Sequence, residues 1–207
     1  MTRRAKPTAR TLLVWALLIG VIAAAIAGAA ISPLLAYRQP VYILGGFAGI
    51  VALALVVVQP LLAAGLLPGL HPLRARRVHR WAGAGLISAV VVHVAALWRT
   101  SPPDVIDALL FRSPTPFSGF GVTAMWAVFA AGALAVLRRR LRPALWRAIH
   151  LSLAVLIVTG TIAHALLITG TMETTTKSLL CLAALTATAL ALTQRSKSRR
   201  KPVNGDP

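Results

Sequence analysis

The sequence predicts an all-α integral membrane protein: a bundle of six transmembrane helices with both termini in the cytoplasm. Of the 207 residues, 57% are hydrophobic and only 13% are charged, and the mean hydropathy is +0.78. A soluble domain of this length is about one quarter charged and buries its apolar residues as stripes on amphipathic helices. The apolar residues of this chain therefore face lipid, and the bilayer is its first predicted partner.

Six stretches are long enough to cross a hydrocarbon core of roughly 30 Å, which takes about 20 apolar residues of helix. They cover residues 12–35, 42–62, 80–98, 120–137, 148–168 and 174–192. Pro60 in the second stretch predicts a kink or an end of that helix. The first stretch follows a basic head and can also be interpreted as a signal peptide. Its apolar run exceeds the roughly 7–15 residues of a signal core, which favours a retained helix.

Basic residues give the orientation of these spans. The chain has 22 Lys and Arg against 4 Asp and Glu, a formal net charge of +18. They come in bursts between apolar stretches and not on one shared surface, so no nucleic acid is predicted as a partner. All but four lie on the side of the two termini, and those four are Arg38, Arg99, Arg112 and Lys177. The positive-inside rule makes the basic side cytoplasmic, in a multi-pass protein of a bacterial inner membrane.

Three segments follow from this topology. Residues 1–11 form a basic cytoplasmic N-terminus, residues 12–193 form the membrane domain, and residues 194–207 form a basic, disordered cytoplasmic tail. On the opposite side, residues 104–111 form a short amphipathic segment that we expect to lie at the interface. We find no internal sequence repeat.

Four histidines form two pairs with the same spacing. His79 and His93 lie on the third span, and His150 and His164 lie on the fifth. A separation of 14 residues leaves the members of a pair about 40° apart around the helix and about 21 Å apart along it. The third and fifth spans cross in the same direction, so His79 and His150 lie toward the cytoplasm and the other two toward the outside. The four histidines therefore predict two cross-helix pairs at two depths.

Two facing imidazoles at one depth are the axial ligands of a bis-histidine haem, and two depths predict a stack of two b-type haems. Neutral imidazole brings no net charge into lipid, and its second nitrogen can be oriented by an acceptor. Each histidine alone has a simpler interpretation, as a helix–helix hydrogen bond or an interfacial side chain. The repeated spacing on parallel helices favours ligation. The single cysteine, Cys181, excludes a four-cysteine cluster and a covalent Cys-x-x-Cys-His haem.

Other residues beside the histidines fit a macrocycle. Gly83 and Gly160 lie one turn inward from His79 and His164, where a haem against the helix needs small side chains. Arg80 and Arg147 lie near the cytoplasmic pair, where cationic groups would bind haem propionates. Both kinds of residue are also ordinary in membrane helices, as packing residues and as positive-inside residues.

Six spans with His-x13-His on the third and fifth resemble the ferric-reductase-like transmembrane domain family. That family includes ferric reductases, NADPH oxidases and the haem-binding membrane subunit of the periplasmic protein-methionine-sulfoxide reductase. The resemblance runs from the second span to the sixth. Its most specific stretches are residues 76–81 leading to His93, residues 112–121, and residues 140–150 leading to His164.

The resemblance implies haem b as cofactor, one or two per chain, with FMN or a quinone as a further electron carrier. It also implies a redox partner protein, either a periplasmic reductase or a cytoplasmic flavin reductase. No glycine-rich dinucleotide fingerprint occurs in the sequence, so we expect the electron-transfer component of an oxidoreductase, with no catalytic residue of its own.

We therefore expect a membrane b-type cytochrome that carries electrons from a cytoplasmic, quinol or flavin donor to a periplasmic acceptor. Two alternatives stay open. One is the haem-binding membrane subunit of a periplasmic methionine sulfoxide reductase system. The other, from a different class, is a haem-free small membrane protein of assembly or transport, which would show no haem absorbance.

Overall fold

A computed structural model describes residues 8–200 of the chain, and their side chains through residue 197. That part of the chain is helical, without strands. The seven α-helices are α1 (Ala9–Ala30), α2 (Pro40–Ala63), α3 (Pro72–Thr100), α4 (Pro102–Leu109), α5 (Pro116–Leu137), α6 (Pro143–Leu167) and α7 (Thr174–Arg200). All except α4 are long and apolar enough to cross a membrane. The predicted six-helix membrane bundle is confirmed, and the protein is a multi-pass membrane protein.

Proline starts five of the helices, α2 to α6, where its missing N–H costs nothing and its fixed φ suits the first turn. The start at Pro72 matters most for the site. We expected the third span to begin at residue 80, but α3 begins eight residues earlier and places His79 two turns inside the helix. The side chain of His71 caps it, with Nδ1 accepting from the Leu73 N–H at 3.4 Å.

Other boundaries also differ from the sequence-based expectation: α1 ends at Ala30 and not at residue 35, and α6 begins at Pro143 and not at residue 148. Helix α2 continues through Pro60 and ends one turn later, at Ala63. Helix α7 continues to Arg200, so residues 194–200 are helical and not disordered as predicted. Of the two predicted basic ends, residues 1–7 and 201–207 lie outside the described residues. The amphipathic segment predicted at residues 104–111 lies largely in α4, which buries Val105.

Helix pairs α2–α3 and α5–α6 make the most extensive contacts in the bundle, and α7 packs on α2. Small residues allow the close approach, as is usual in membrane bundles. A Cβ at Gly45 on α2 would lie 3.0 Å from the Cβ of Ala96 on α3, and one at Gly160 on α6 would lie 3.2 Å from that of Ala124 on α5. These two tight pairs carry the four histidines on α3 and α6.

Candidate functional site

The four histidines of α3 and α6 form two facing pairs, as their spacing predicted. The ring centroids of His79 and His150, here called the inner pair, are 6.3 Å apart, with an angle of 71° between the ring planes. The centroids of His93 and His164, the outer pair, are 6.4 Å apart at 82°. The first histidine of α3 faces the first histidine of α6, and the second faces the second. The two helices therefore run in the same direction through the bundle.

These separations fit one metal ion between the rings of each pair. A metal–nitrogen bond to histidine is about 2.0–2.1 Å long, and the ring centroid lies about 1.2 Å beyond the nitrogen, so two trans imidazoles have centroids about 6.4 Å apart. Both observed distances agree with this value. Among the described residues, no three His, Cys, Asp or Glu side chains come together. Each pair could therefore hold a metal centre through two imidazoles, and any further ligands would have to come from a bound cofactor.

Backbone carbonyls hold both imidazoles of the outer pair. Nδ1 of His93 lies 2.7 Å from the carbonyl oxygen of Gly45 on α2, and Nδ1 of His164 lies 2.8 Å from that of Phe117 on α5. A carbonyl oxygen only accepts, so each Nδ1 carries the proton and donates. Nε2 of each ring then has a free lone pair, which is the state a metal ligand needs.

A glycine lies one turn beyond each of these carbonyls and gives the imidazole room. A Cβ at Gly49 would lie 3.1 Å from Nδ1 of His93, and a Cβ at Gly121 would lie 2.6 Å from Nδ1 of His164. Ordinary van der Waals contact needs about 3.5 Å or more. Any larger residue at Gly121 would displace the ring, so the glycine permits the hydrogen bond to Phe117.

The outer site is thus built twice from the same parts. In α2–α3 and again in α5–α6, a carbonyl and a glycine one turn later on the first helix hold a histidine of the second. We found no repeat in the sequence because the shared elements are a backbone oxygen and one small residue, which leave no sequence similarity.

A cavity of about 670 Å³ opens at the outer pair and reaches from His93 and His164 to α4 and the first turn of α7. This volume lies within the roughly 300–1,000 Å³ of small-molecule and cofactor sites. Apolar side chains of α2, α3 and α5 form most of its wall. Its polar lining includes Arg38, Tyr42, Thr100, Asp104, Ser113, Thr115, Ser118 and Lys177. An apolar wall with polar groups toward one end suits a flat apolar ring that carries carboxylates at one edge.

The inner pair is held less regularly. Nδ1 of His79 lies 3.3 Å from the backbone carbonyl of Gln59, whereas Nδ1 of His150 is buried without a hydrogen-bond partner. The ring of His150 is instead stacked on Trp146, with centroids 5.1 Å apart and planes within 12°. Stacking fixes the plane of His150, but no acceptor fixes its protonated nitrogen.

The side-chain amide of Gln59 also reaches Nδ1 of His79. In the orientation that lets its oxygen accept from the Gly83 N–H at 2.8 Å, its NH2 group points at Nδ1, 2.5 Å away. That orientation needs Nδ1 as an acceptor, whereas ligation through Nε2 needs Nδ1 as a donor. Metal binding at the inner pair therefore requires the Gln59 amide to present its oxygen to His79.

Residues 48–161, more than half of the chain, match the family model described as ferric reductase like transmembrane component. The chain belongs to this family. No curated protein and no solved structure matches it. The match begins within α2 and ends within α6, and it includes His79, His93 and His150, with His164 three residues beyond its end. Family membership makes the chain a membrane electron-transfer component that works with a redox partner.

The four accessory residues predicted from the sequence lie on the same two helices as the histidines: Arg80 and Gly83 on α3, and Arg147 and Gly160 on α6. A Cβ at Gly83 would lie 3.1 Å from Nε2 of Gln59, and Gly160 packs on α5, so helix packing accounts for both small residues. Arg80 and Arg147 are exposed at the inner end of the bundle. Their parts in cofactor binding stay predictions.

Sequence reasoning missed several residues of the outer cavity. Gly49 and Gly121 were missed because abundant glycine in apolar spans carries no signal by itself. Lys177 did carry one: it is a single charge at the start of an apolar span, and charges inside membranes are functional by default. In the charge count it is only one of the four cations on the outer side.

Proposed function

We propose that this chain is a b-type cytochrome of a bacterial inner membrane, which carries electrons across the bilayer through two bis-histidine haems. The observation that carries the proposal is that two imidazole pairs lie at two depths, each with the centroid separation expected if both rings held one metal ion. Histidines that only packed between helices would not need the same centroid separation in both pairs.

The chain's own residues perform three tasks in this proposal. Gly45 and Phe117 fix the protonated nitrogens of the outer histidines, which leaves their Nε2 atoms free to bind iron. At each level two imidazoles would hold the iron, and the protein would then leave no position open for a small molecule. The apolar helices keep water from the site and hold the two levels about 21 Å apart along the helix axis. Haem bound at these histidines would supply the one-electron chemistry.

Charge supports the direction of transfer. Among residues 8–200, only Arg38, Arg99, Arg112 and Lys177 lie on the side of the outer pair, and the other Lys and Arg of this range lie toward the inner pair. The positive-inside rule then makes the inner pair cytoplasmic. Electrons would enter there from a flavin reductase or a quinol, pass to the outer pair, and leave to a periplasmic reductase or another acceptor.

Spectroscopy of the purified membrane protein tests the proposal. A dithionite-reduced minus oxidised spectrum should show a b-type band, with about two haems per chain and a low-spin bis-histidine signature by electron paramagnetic resonance. His71→Ala is a matched control, because His71 is exposed and caps α3 outside both pairs, and this variant should keep all haem. Protein that takes up no haem when haem is supplied would refute the proposal in favour of a haem-free membrane protein.

A further inference from the structure

Lys177 is a buried cation at a position that disfavours a positive charge. It lies in the first turn of α7, and only 7% of its surface is exposed. Its ammonium group donates one hydrogen bond, to the carbonyl oxygen of Ile168 at 2.7 Å. The N-terminus of a helix carries a partial positive charge, which repels a cation there. Neither the helix nor the single carbonyl therefore balances this charge.

The acidic side chains around Lys177 are engaged elsewhere. Glu173, one turn earlier, accepts hydrogen bonds from the backbone N–H groups of Thr175 and Thr176. Asp104, which lines the same cavity, accepts from the hydroxyl of Ser101 at 2.5 Å. Within the described part of the chain, Lys177 has no ion pair. A buried ammonium group without a counter-charge is costly, so its position indicates an anion that the chain itself does not provide.

The cavity at Lys177 is also the cavity of the outer pair. Lys177, His93 and His164 line one space of about 670 Å³. A cluster of hydroxyl groups lines it as well. The hydroxyl oxygen of Thr115 lies 2.8 Å from that of Ser113 and 2.6 Å from that of Ser118. Hydroxyl protons rotate toward an acceptor. One cavity thus combines two imidazoles with a buried cation and three hydroxyl groups.

We propose that Lys177 binds a carboxylate of the group that His93 and His164 hold, which makes it the counter-ion of a propionate of the outer haem. This inference rests on the proposed function and adds a residue that neither the spacing of the histidines nor the family match identifies, since the match ends at residue 161. It also gives α7 a part in the site, although this helix carries none of the four histidines.

A comparison of haem with haem dimethyl ester shows whether Lys177 binds a carboxylate or is only a structural residue. In the ester the propionates carry no charge. Both compounds are titrated into apo-protein that carries His79→Ala, so that only the outer pair is complete. Lys177→Met should weaken haem binding about 10- to 100-fold, as expected for a hydrogen bond to a charged group. The same change should alter binding of the ester by less than about threefold. Lys177→Arg should keep most of the affinity for haem.

Arg99→Met is the matched control, because Arg99 is a cation of the same side that is exposed and does not line the cavity. It should change neither affinity. Equal losses of haem and ester in Lys177→Met would make Lys177 a structural residue and overturn the inference, as would unchanged haem binding. If Lys177→Met does not fold, two other measurements decide the question. One is the same pair of titrations on Lys177→Gln, and the other is whether the protein that retains Lys177 binds haem more tightly than the ester. If the protein that retains Lys177 binds neither haem nor the ester, the outer haem site itself is refuted, and with it the proposed function.

Discussion

Replacing Gly121 by alanine tests the outer site through a single methyl group. The added Cβ would lie 2.6 Å from Nδ1, 2.9 Å from Cε1 and 3.1 Å from Cγ of His164. Contact at about 3.5 Å requires the ring to withdraw from α5 by about 0.9 Å. Since Phe117 lies one turn away on the same helix, the hydrogen bond of 2.8 Å to its carbonyl would lengthen to about 3.7 Å, beyond the range of a hydrogen bond.

The loss should weaken haem binding at the outer pair without removing a ligand. A buried donor left without its acceptor costs about 1–3 kcal/mol. Substituting a group that orients a metal-bound histidine typically costs about 10- to 100-fold in affinity, and these two estimates agree because about 1.4 kcal/mol is a factor of ten. We therefore expect Gly121→Ala to retain the inner haem and to bind the outer one about 10- to 100-fold more weakly.

Haem titration with absorbance detection measures this change, and Gly119→Ala provides the control. Gly119 lies on the same helix, but a Cβ there would have Phe111 Cδ1 as its nearest contact, at 3.9 Å. That variant should bind both haems as the unchanged protein does. If Gly121→Ala bound the outer haem with unchanged affinity, the hydrogen bond to Phe117 would have no part in ligation and our account of the outer site would be wrong.

Three further predictions follow from the geometry. His93→Ala should remove about one haem per chain, measured by pyridine haemochrome, and retention of both would show that the pairing is wrong. Gln59→Leu removes the NH2 group that competes for Nδ1 of His79 and keeps the backbone carbonyl of residue 59 as its acceptor, so it should raise haem affinity at the inner level alone; a loss there, or an equal change at both levels in titrations, would contradict this. Hydrogen bonds, chiefly from Thr176, hold the pKa of Glu173 below its usual value of about 4.3. The stabilisation by the carboxylate is therefore full above that value and is lost as the pH falls through the lowered pKa. Thermal unfolding of Glu173→Gln should differ from that of the unchanged protein at neutral pH and converge with it in acid, and a difference that persists in acid refutes this assignment.

Most of the fold was predictable, because hydropathy and helix length decide which segments cross a bilayer. The histidine pairs were predictable for a similar reason: a spacing of 14 residues on two parallel helices fixes both angle and depth. The start of α3 was missed because residues 72–79 are basic and polar. Apolar length measures only the part of a helix that needs lipid, whereas Pro72 and the cap at His71 set where the helix begins.

The second layer of the site could not be predicted from sequence. The partners of His93 and His164 are backbone oxygens, and every residue has one, so nothing in the sequence marks Gly45 or Phe117. Which carbonyl faces an imidazole depends on the rotation and offset of two packed helices. Lys177 differs, because a charge next to an apolar span is visible in the sequence, but its cavity appears only when α7 is placed against α2.

The two levels of the site are unequal, and the inequality bears on how the protein would be loaded. Both outer imidazoles donate to carbonyls at 2.7 and 2.8 Å, whereas the inner level has one contact of 3.3 Å and one nitrogen without a partner. Such partners orient the ring and raise its basicity as a ligand. The outer pair should therefore bind haem more tightly, and a chain with only one haem would carry it at His93 and His164. Transfer across the whole membrane then depends on the weaker level, where the orientation of the Gln59 amide decides whether His79 is ready to bind iron.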